Sequence, residues 1–219
     1  MRHYLRALLV LFVVVLVTAF IGCGASESTT GPSGSITSPS ESITGPSVSH
    51  EAVADQMPEI DASTAKPSAT YTIGFSSLRE NRAPFSTYAE SGFRISVVSA
   101  DWIAITTYGS PTPFVEFYGP AGVTMTGELR VTADGAPFWL NAIDFYSSTT
   151  KIPYVIEGSL NSKQMFAVSD VIGNTFGAFA RRSNPKADVP VQEIRIRLSN
   201  PSAACCGNPM GVDNIVVSR

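Results

Sequence analysis

Side chains able to do chemistry are few in this chain and unevenly placed. The two histidines are His3 and His50, so the stretch 69–219 has none. A Ser-His-Asp or Cys-His nucleophile, or a histidine-bearing zinc or iron site, therefore cannot be assembled there. Carboxylates remain. A glycosidase needs two carboxyl groups about 5–5.5 Å or 6.5–9.5 Å apart, and Glu116, Glu128, Asp144, Glu157 and Glu193 fall on expected strands. Outward carboxylates on alternating strands are also what solubility requires, so the reading is of a protein that is not an enzyme. The three cysteines are Cys23 and the adjacent pair Cys205-Cys206. Export favours oxidation, and a disulfide between Cys205 and Cys206 would form a stiff, apolar knuckle. Neighbouring α-carbons about 3.8 Å apart fall short of the usual disulfide span, which leaves two thiols or intermolecular pairing as alternatives. Among aromatics, Trp102 and Tyr108 lie near expected strand ends, where loop-borne sites concentrate. Asp144 and Tyr146 share a strand face with Leu140 and Ala142. An acid there is either a paired core group or a ligand contact in a concave sheet. Trp102, Tyr108, Asp144 and Tyr146 are thus the candidate ligand-binding residues.

These groups need elements to position them, and the chain falls into three parts. Residues 1–22 carry a basic head, with Arg2, His3 and Arg6, and then an uncharged apolar run from Ala7 to Gly22. That is the layout of a secretory signal. Sixteen helical residues at about 1.5 Å each cover roughly 24 Å, short of the ~30 Å hydrocarbon core. Phe20-Ile21-Gly22-Cys23 resembles the lipobox of bacterial lipoproteins, although Phe20 departs from the aliphatic residue common there. The resemblance implies that Cys23 is lipidated and becomes the first mature residue, placing the protein at the bacterial cell envelope as a membrane-anchored, secreted chain with its folded domain outside the cytoplasm. Removing 1–22 takes away two of the fifteen Lys/Arg and none of the eighteen Asp/Glu, leaving a mildly acidic chain at −5. Its basic residues are scattered, so nucleic acid is not an expected partner.

Residues 23–68 are rich in Ser, Thr, Gly and Pro and cannot bury enough apolar surface to fold. Three seven-residue units, 29–35, 36–42 and 43–49, share Thr, Pro and Ser positions without an apolar seam. The segment reads as a disordered tether, reaching on the order of 35–40 Å from the lipid headgroups.

Residues 69–219 suit one domain. Leu129 and Val131 alternate with Glu128 and Arg130, and Ile194, Ile196 and Leu198 alternate with Glu193, Arg195 and Arg197. Period two marks half-buried antiparallel strands. Further strands are expected at 70–76, 92–98, 101–107, 113–118, 137–146, 152–158, 163–169 and 211–217. Turn signals such as Asp134-Gly135, Asn184-Pro185 and Asn208-Pro209 separate them. Without a helical stripe anywhere, the fold class is all-β, an antiparallel two-sheet β-sandwich of jelly-roll type.

Tyr88-Ala89-Glu90-Ser91-Gly92-Phe93, Asp134-Gly135-Ala136-Pro137-Phe138 and Gly211-Val212-Asp213-Asn214-Ile215-Val216-Val217 together resemble secreted jelly-roll domains similar to galactose-binding-like and carbohydrate-binding modules. The resemblance implies a non-catalytic module for glycan, with the membrane as a second partner through the N-terminal lipid. It also implies a structural Ca2+ held by Glu90 and Asp213. Calcium takes six to eight oxygens, and an Asx turn or a strand-tying hydrogen bond would explain Asp213 equally well. The alternative function is a structural or adhesive envelope protein without a small-ligand site.

Overall fold

The computed structural model describes residues 67–219; the signal, Cys23 and the repeats lie outside the described residues. Thirteen strands and no helix occur among them. The strands are β1 (Thr70–Ile73), β2 (Pro84–Phe85), β3 (Thr87–Glu90), β4 (Phe93–Ser99), β5 (Trp102–Ile105), β6 (Phe114–Gly119) and β7 (Met125–Thr132). They continue with β8 (Trp139–Ser147), β9 (Ile152–Leu160), β10 (Lys163–Ile172), β11 (Ala180–Ser183), β12 (Glu193–Asn200) and β13 (Asn208–Ser218).

Two antiparallel sheets form a sandwich. The seven-stranded sheet runs β11-β8-β13-β6-β5-β2, with β1 also paired to β13; the six-stranded sheet runs β10-β9-β12-β7-β4-β3. The alternation read from sequence does the folding work. In β12, Ile194, Ile196 and Leu198 are buried while Glu193, Arg195 and Arg197 point out, and Leu129 and Val131 meet them from β7. Phe117, Phe138, Ile143, Phe145, Val212 and Val217 close the core from the facing sheet.

Alternation fails once with consequence. Val217 pairs Leu140 while Val216 pairs Ala142, and from Val216 to Asp213 β13 advances three residues against two on β8. The extra residue on β8 turns Leu140 into the core beside Ile143 and Phe145, not outward beside Tyr146 as regular spacing predicts. The extra residue on β13 falls at Asn214, whose φ of 42° marks the bulge. β2, β3 and β11, of two to four residues each, were not expected as strands; runs that short carry no periodicity to read.

Candidate functional site

The outer face of the seven-stranded sheet collects Glu116, Asp144, Tyr146 and Asp213, with Tyr108 over it, whereas Glu128, Glu157 and Glu193 lie on the six-stranded sheet. Across it, one row reads Ile103, Glu116, Gly211 and Tyr146, and a neighbouring one reads Asp213, Asp144 and Arg181. This face does not lie open. Ile105, Phe114 and Tyr146 form a second buried cluster, with Ile103 and Phe179 packed against it. Tyr108, in the loop between β5 and β6, folds back over the sheet to meet the Tyr146 ring edge-on at 6.4 Å. Gly211 keeps the centre low: a Cβ there would stand 2.6 Å from the Val115 carbonyl oxygen.

Two of the four expected ligand contacts are core groups. Trp102 is 1% exposed, packs tilted against Phe117 with ring centroids 4.8 Å apart, and donates its Nε1–H to the Ser99 carbonyl oxygen at 2.9 Å. Tyr146 is likewise 1% exposed, and burial pushes its phenol up to about 12. Asp144 takes the paired alternative. Its Oδ1 accepts from Arg181 Nε at 2.9 Å and its Oδ2 from Asn214 Nδ2 at 3.0 Å. Tyr108 alone remains available, at 54% exposed.

Sequence reasoning missed the companion of Tyr108. Phe176 lies in the loop between β10 and β11 and is 78% exposed. Thr175 ties the loop down, its N–H donating to the Ser147 carbonyl oxygen at 2.7 Å. Ala178 N–H then closes the turn on the Thr175 carbonyl oxygen at 3.2 Å. Phe176 and Gly177 sit at φ of 51° and 89°, the signature of a type I′ turn. An aromatic residue is an outlier at positive φ, where Asn or Gly is usual. The fold therefore carries backbone strain at the position that displays this ring. A Cβ on Gly177 would come within 3.1 Å of the Tyr108 hydroxyl, so Tyr108 lies against the same turn. The signal available in sequence was Phe176-Gly177 after the polar Asn174-Thr175 in a loop, which is weak without a known turn type.

Beneath this surface are two buried acids. Burial raises Glu116 to about 7, with the charge of Arg82 opposing. Burial raises Asp213 to about 7 as well; the Asn214 backbone N–H pulls it down, while the charges of Asp144 and Glu90 push it further up. Both therefore hold a proton to higher pH than an ordinary carboxylate.

The Glu90 and Asp213 pair does not fit calcium. Glu90 ends β3, and its Oε2 accepts from the backbone N–H groups of Gly74 at 2.9 Å and Phe75 at 3.0 Å, while its Oε1 accepts from the Ser76 hydroxyl. The carboxylate is thereby the acceptor that fixes the 74–76 turn, with its lone pairs directed at hydrogens. Asp213 Oδ1 is buried without a partner, and its Oδ2 accepts from Asn214 Nδ2 at 3.2 Å. Among the described residues no group of three or more Asp, Glu, His or Cys is placed to hold a metal. The Cys205 and Cys206 sulfurs are 2.8 Å apart on an exposed loop. Adjacent α-carbons are too close for an unstrained bridge.

No protein-family model matches the chain, and no curated protein does. Several solved structures are similar to this chain. A DUF4465 family protein from Bacteroides caccae is similar over 69% of this chain and 100% of its own, at 8% identity and a TM-score of 0.45. The K2 cleaved adhesin domain of Lys-gingipain matches over 69% and 99%, at 13% identity and a TM-score of 0.43. A family 29 carbohydrate-binding module from Piromyces equi matches over 69% and 91%, at 9% identity and a TM-score of 0.40.

Proposed function

We propose that residues 69–219 are a non-catalytic binding module for carbohydrate, which stacks a sugar ring on Tyr108 and Phe176. One observation carries this: two exposed aromatic residues from separate loops meet at one turn, and one of them is held at strained φ. Strain at an exposed residue with little packing to recover it points to function. The apolar face of a pyranose is the natural partner of an exposed ring whose hydroxyl-bearing neighbour supplies a polar edge. Rigidity comes from below, where Phe114, Tyr146 and Phe179 pack as a fixed support. Membrane attachment through a lipid on Cys23, with the Ser/Thr/Gly/Pro segment as tether, completes the reading and places the module at the cell envelope.

Binding of the full chain to a glycan array is the test. Signal on at least one glycan class, reduced about tenfold or more by Tyr108→Ala and by Phe176→Ala with melting temperature retained, supports the module; tenfold corresponds to about 1.4 kcal/mol per ring. A blank array overturns it and leaves a structural or adhesive envelope protein in front. The anchor is tested separately by metabolic labelling with a palmitate analogue: incorporation lost in Cys23→Ser supports it, and an unlabelled wild-type chain overturns it.

A further inference from the structure

The opposite, six-stranded sheet carries a groove of about 430 Å³ on its outer face, near the β9–β10 turn. That volume lies within the ~300–1,000 Å³ of small-ligand sites. Its lining differs in kind from the aromatic surface on the other sheet. Asn161, Ser162 and Gln164 contribute amides and a hydroxyl, and none of these side chains is hydrogen-bonded to another described residue. Asn161 and Ser162, at φ of 50° and 64°, are the central residues of the β9–β10 turn, so their side chains are presented from a fixed backbone.

The rest of the lining is locked in place. Gln192 accepts the Asn161 backbone N–H on its Oε1 at 3.0 Å and donates its Nε2–H to the Gly135 carbonyl oxygen at 2.8 Å. Arg195 is held by Glu193 at 2.7 Å and by Glu128 at 2.9 Å. Glu128 also binds Arg197 at 3.0 Å, and Arg197 in turn fixes Glu157. The groove thus has mobile-free acceptors and donors on its floor, in Glu157, Glu193 and Arg195, and unused polar groups at its rim.

We infer that this groove is a second saccharide site, one that takes neutral sugars by hydrogen bonds to their hydroxyl groups and not by stacking. A sugar hydroxyl donates and accepts at once, which matches amides, carboxylates and a guanidinium in one place. No aromatic side chain lines it. An anionic glycan is disfavoured, because two carboxylates line the groove and its single guanidinium already has two carboxylate partners. A peptide strand is disfavoured because the backbones of β9 and β12 under the groove are already paired to each other. The choice of ligand class rests on the carbohydrate reading above; the position of the site does not. Two sites on opposite sheets would let one tethered domain bridge two glycan chains, with the avidity that follows from linking.

Chemical-shift mapping on the isotope-labelled full chain separates the possibilities, with cellobiose, mannobiose and galactobiose as neutral probes and digalacturonate as the anionic one. The expected result is that a neutral disaccharide shifts the Asn161, Gln164 and Gln192 side-chain amide signals, while digalacturonate does not. Asn161→Ala and Gln164→Ala should each weaken that binding about fivefold, the scale of one lost hydrogen bond. Phe176→Ala should leave the groove signals unchanged while removing shifts around Tyr108. Groove signals that respond to none of the three neutral probes overturn the inference. So do groove shifts abolished by Phe176→Ala, or stronger shifts with digalacturonate than with neutral sugars. A wild-type chain whose groove signals respond while those around Tyr108 do not would refute the aromatic site alone.

Discussion

Replacing Phe176 with asparagine should stabilise the domain and disable it at the same time. The residue sits at φ 51°, where an ordinary L-residue pays roughly 1–2 kcal/mol and asparagine much less. Its ring is 78% exposed, so only about a fifth of a full Phe burial, roughly 0.5 kcal/mol, is lost with it. Phe176→Asn also leaves an Asn-Gly pair at the centre of the turn, the pair type I′ favours. The net gain is about 0.5–1 kcal/mol, and for a domain of this size that raises Tm by roughly 1–4 °C. Calorimetry on the wild-type and variant chains reads the stability, and the glycan array reads the function. A Tm that falls by more than about 2 °C would refute the reasoning, because it would mean the ring packs for stability and the φ strain is not held for display. A Tm that rises with glycan binding untouched would keep the strain argument and remove the stacking role.

Four further outcomes follow from the same structure. Tyr108→Phe should keep most of the stacking of Tyr108 but weaken binding several-fold, read by isothermal titration, if its hydroxyl contacts sugar. Gly211→Ala should cost about 1–3 kcal/mol in chemical denaturation, since its Cβ would press on the Val115 carbonyl oxygen, whereas Gly173→Ala, with open space around it, should cost far less. Stability should fall as pH rises: Glu116 and Asp213 have folded pKa values near 7, above the ordinary carboxylate range, so the folded state holds the extra protons. Their contribution is full below the unfolded carboxylate pKa and is lost as pH climbs through about 7, so Tm at pH 5.5 should exceed that at pH 8.5, with Glu116→Gln flattening the slope. Calcium should leave Tm unchanged against a chelator; a rise of several degrees would show that Glu90 gives up its Gly74 and Phe75 donors for a metal.

Much of the scaffold was legible because alternation is a local signal. Ile194, Ile196 and Leu198 had to face one way and their charged neighbours the other, whatever lay opposite. The same rule misled at Leu140, since a bulge is set by the pairing of two strands and is visible in neither alone. The site was less legible still. Trp102 looked like a ligand contact because it lies near a strand end, and Tyr146 because it shares a strand face with Asp144; neither position says whether the ring is buried. Phe176 was overlooked because its importance lies in a backbone angle.

By itself the sequence determined the fold class, through period-two burial and turn residues, and it excluded histidine chemistry from the folded domain. It also set the expectation of a lipid at Cys23 and a tether behind it. The tertiary structure alone decided which aromatic residues reach solvent, that Glu90 serves a backbone turn, and that a polar groove exists on the six-stranded sheet. The reason is physical: burial and partnership depend on chain segments as far apart as Asn161 and Gln192, or Tyr108 and Gly177, which meet only once strands distant in sequence have paired within their sheets.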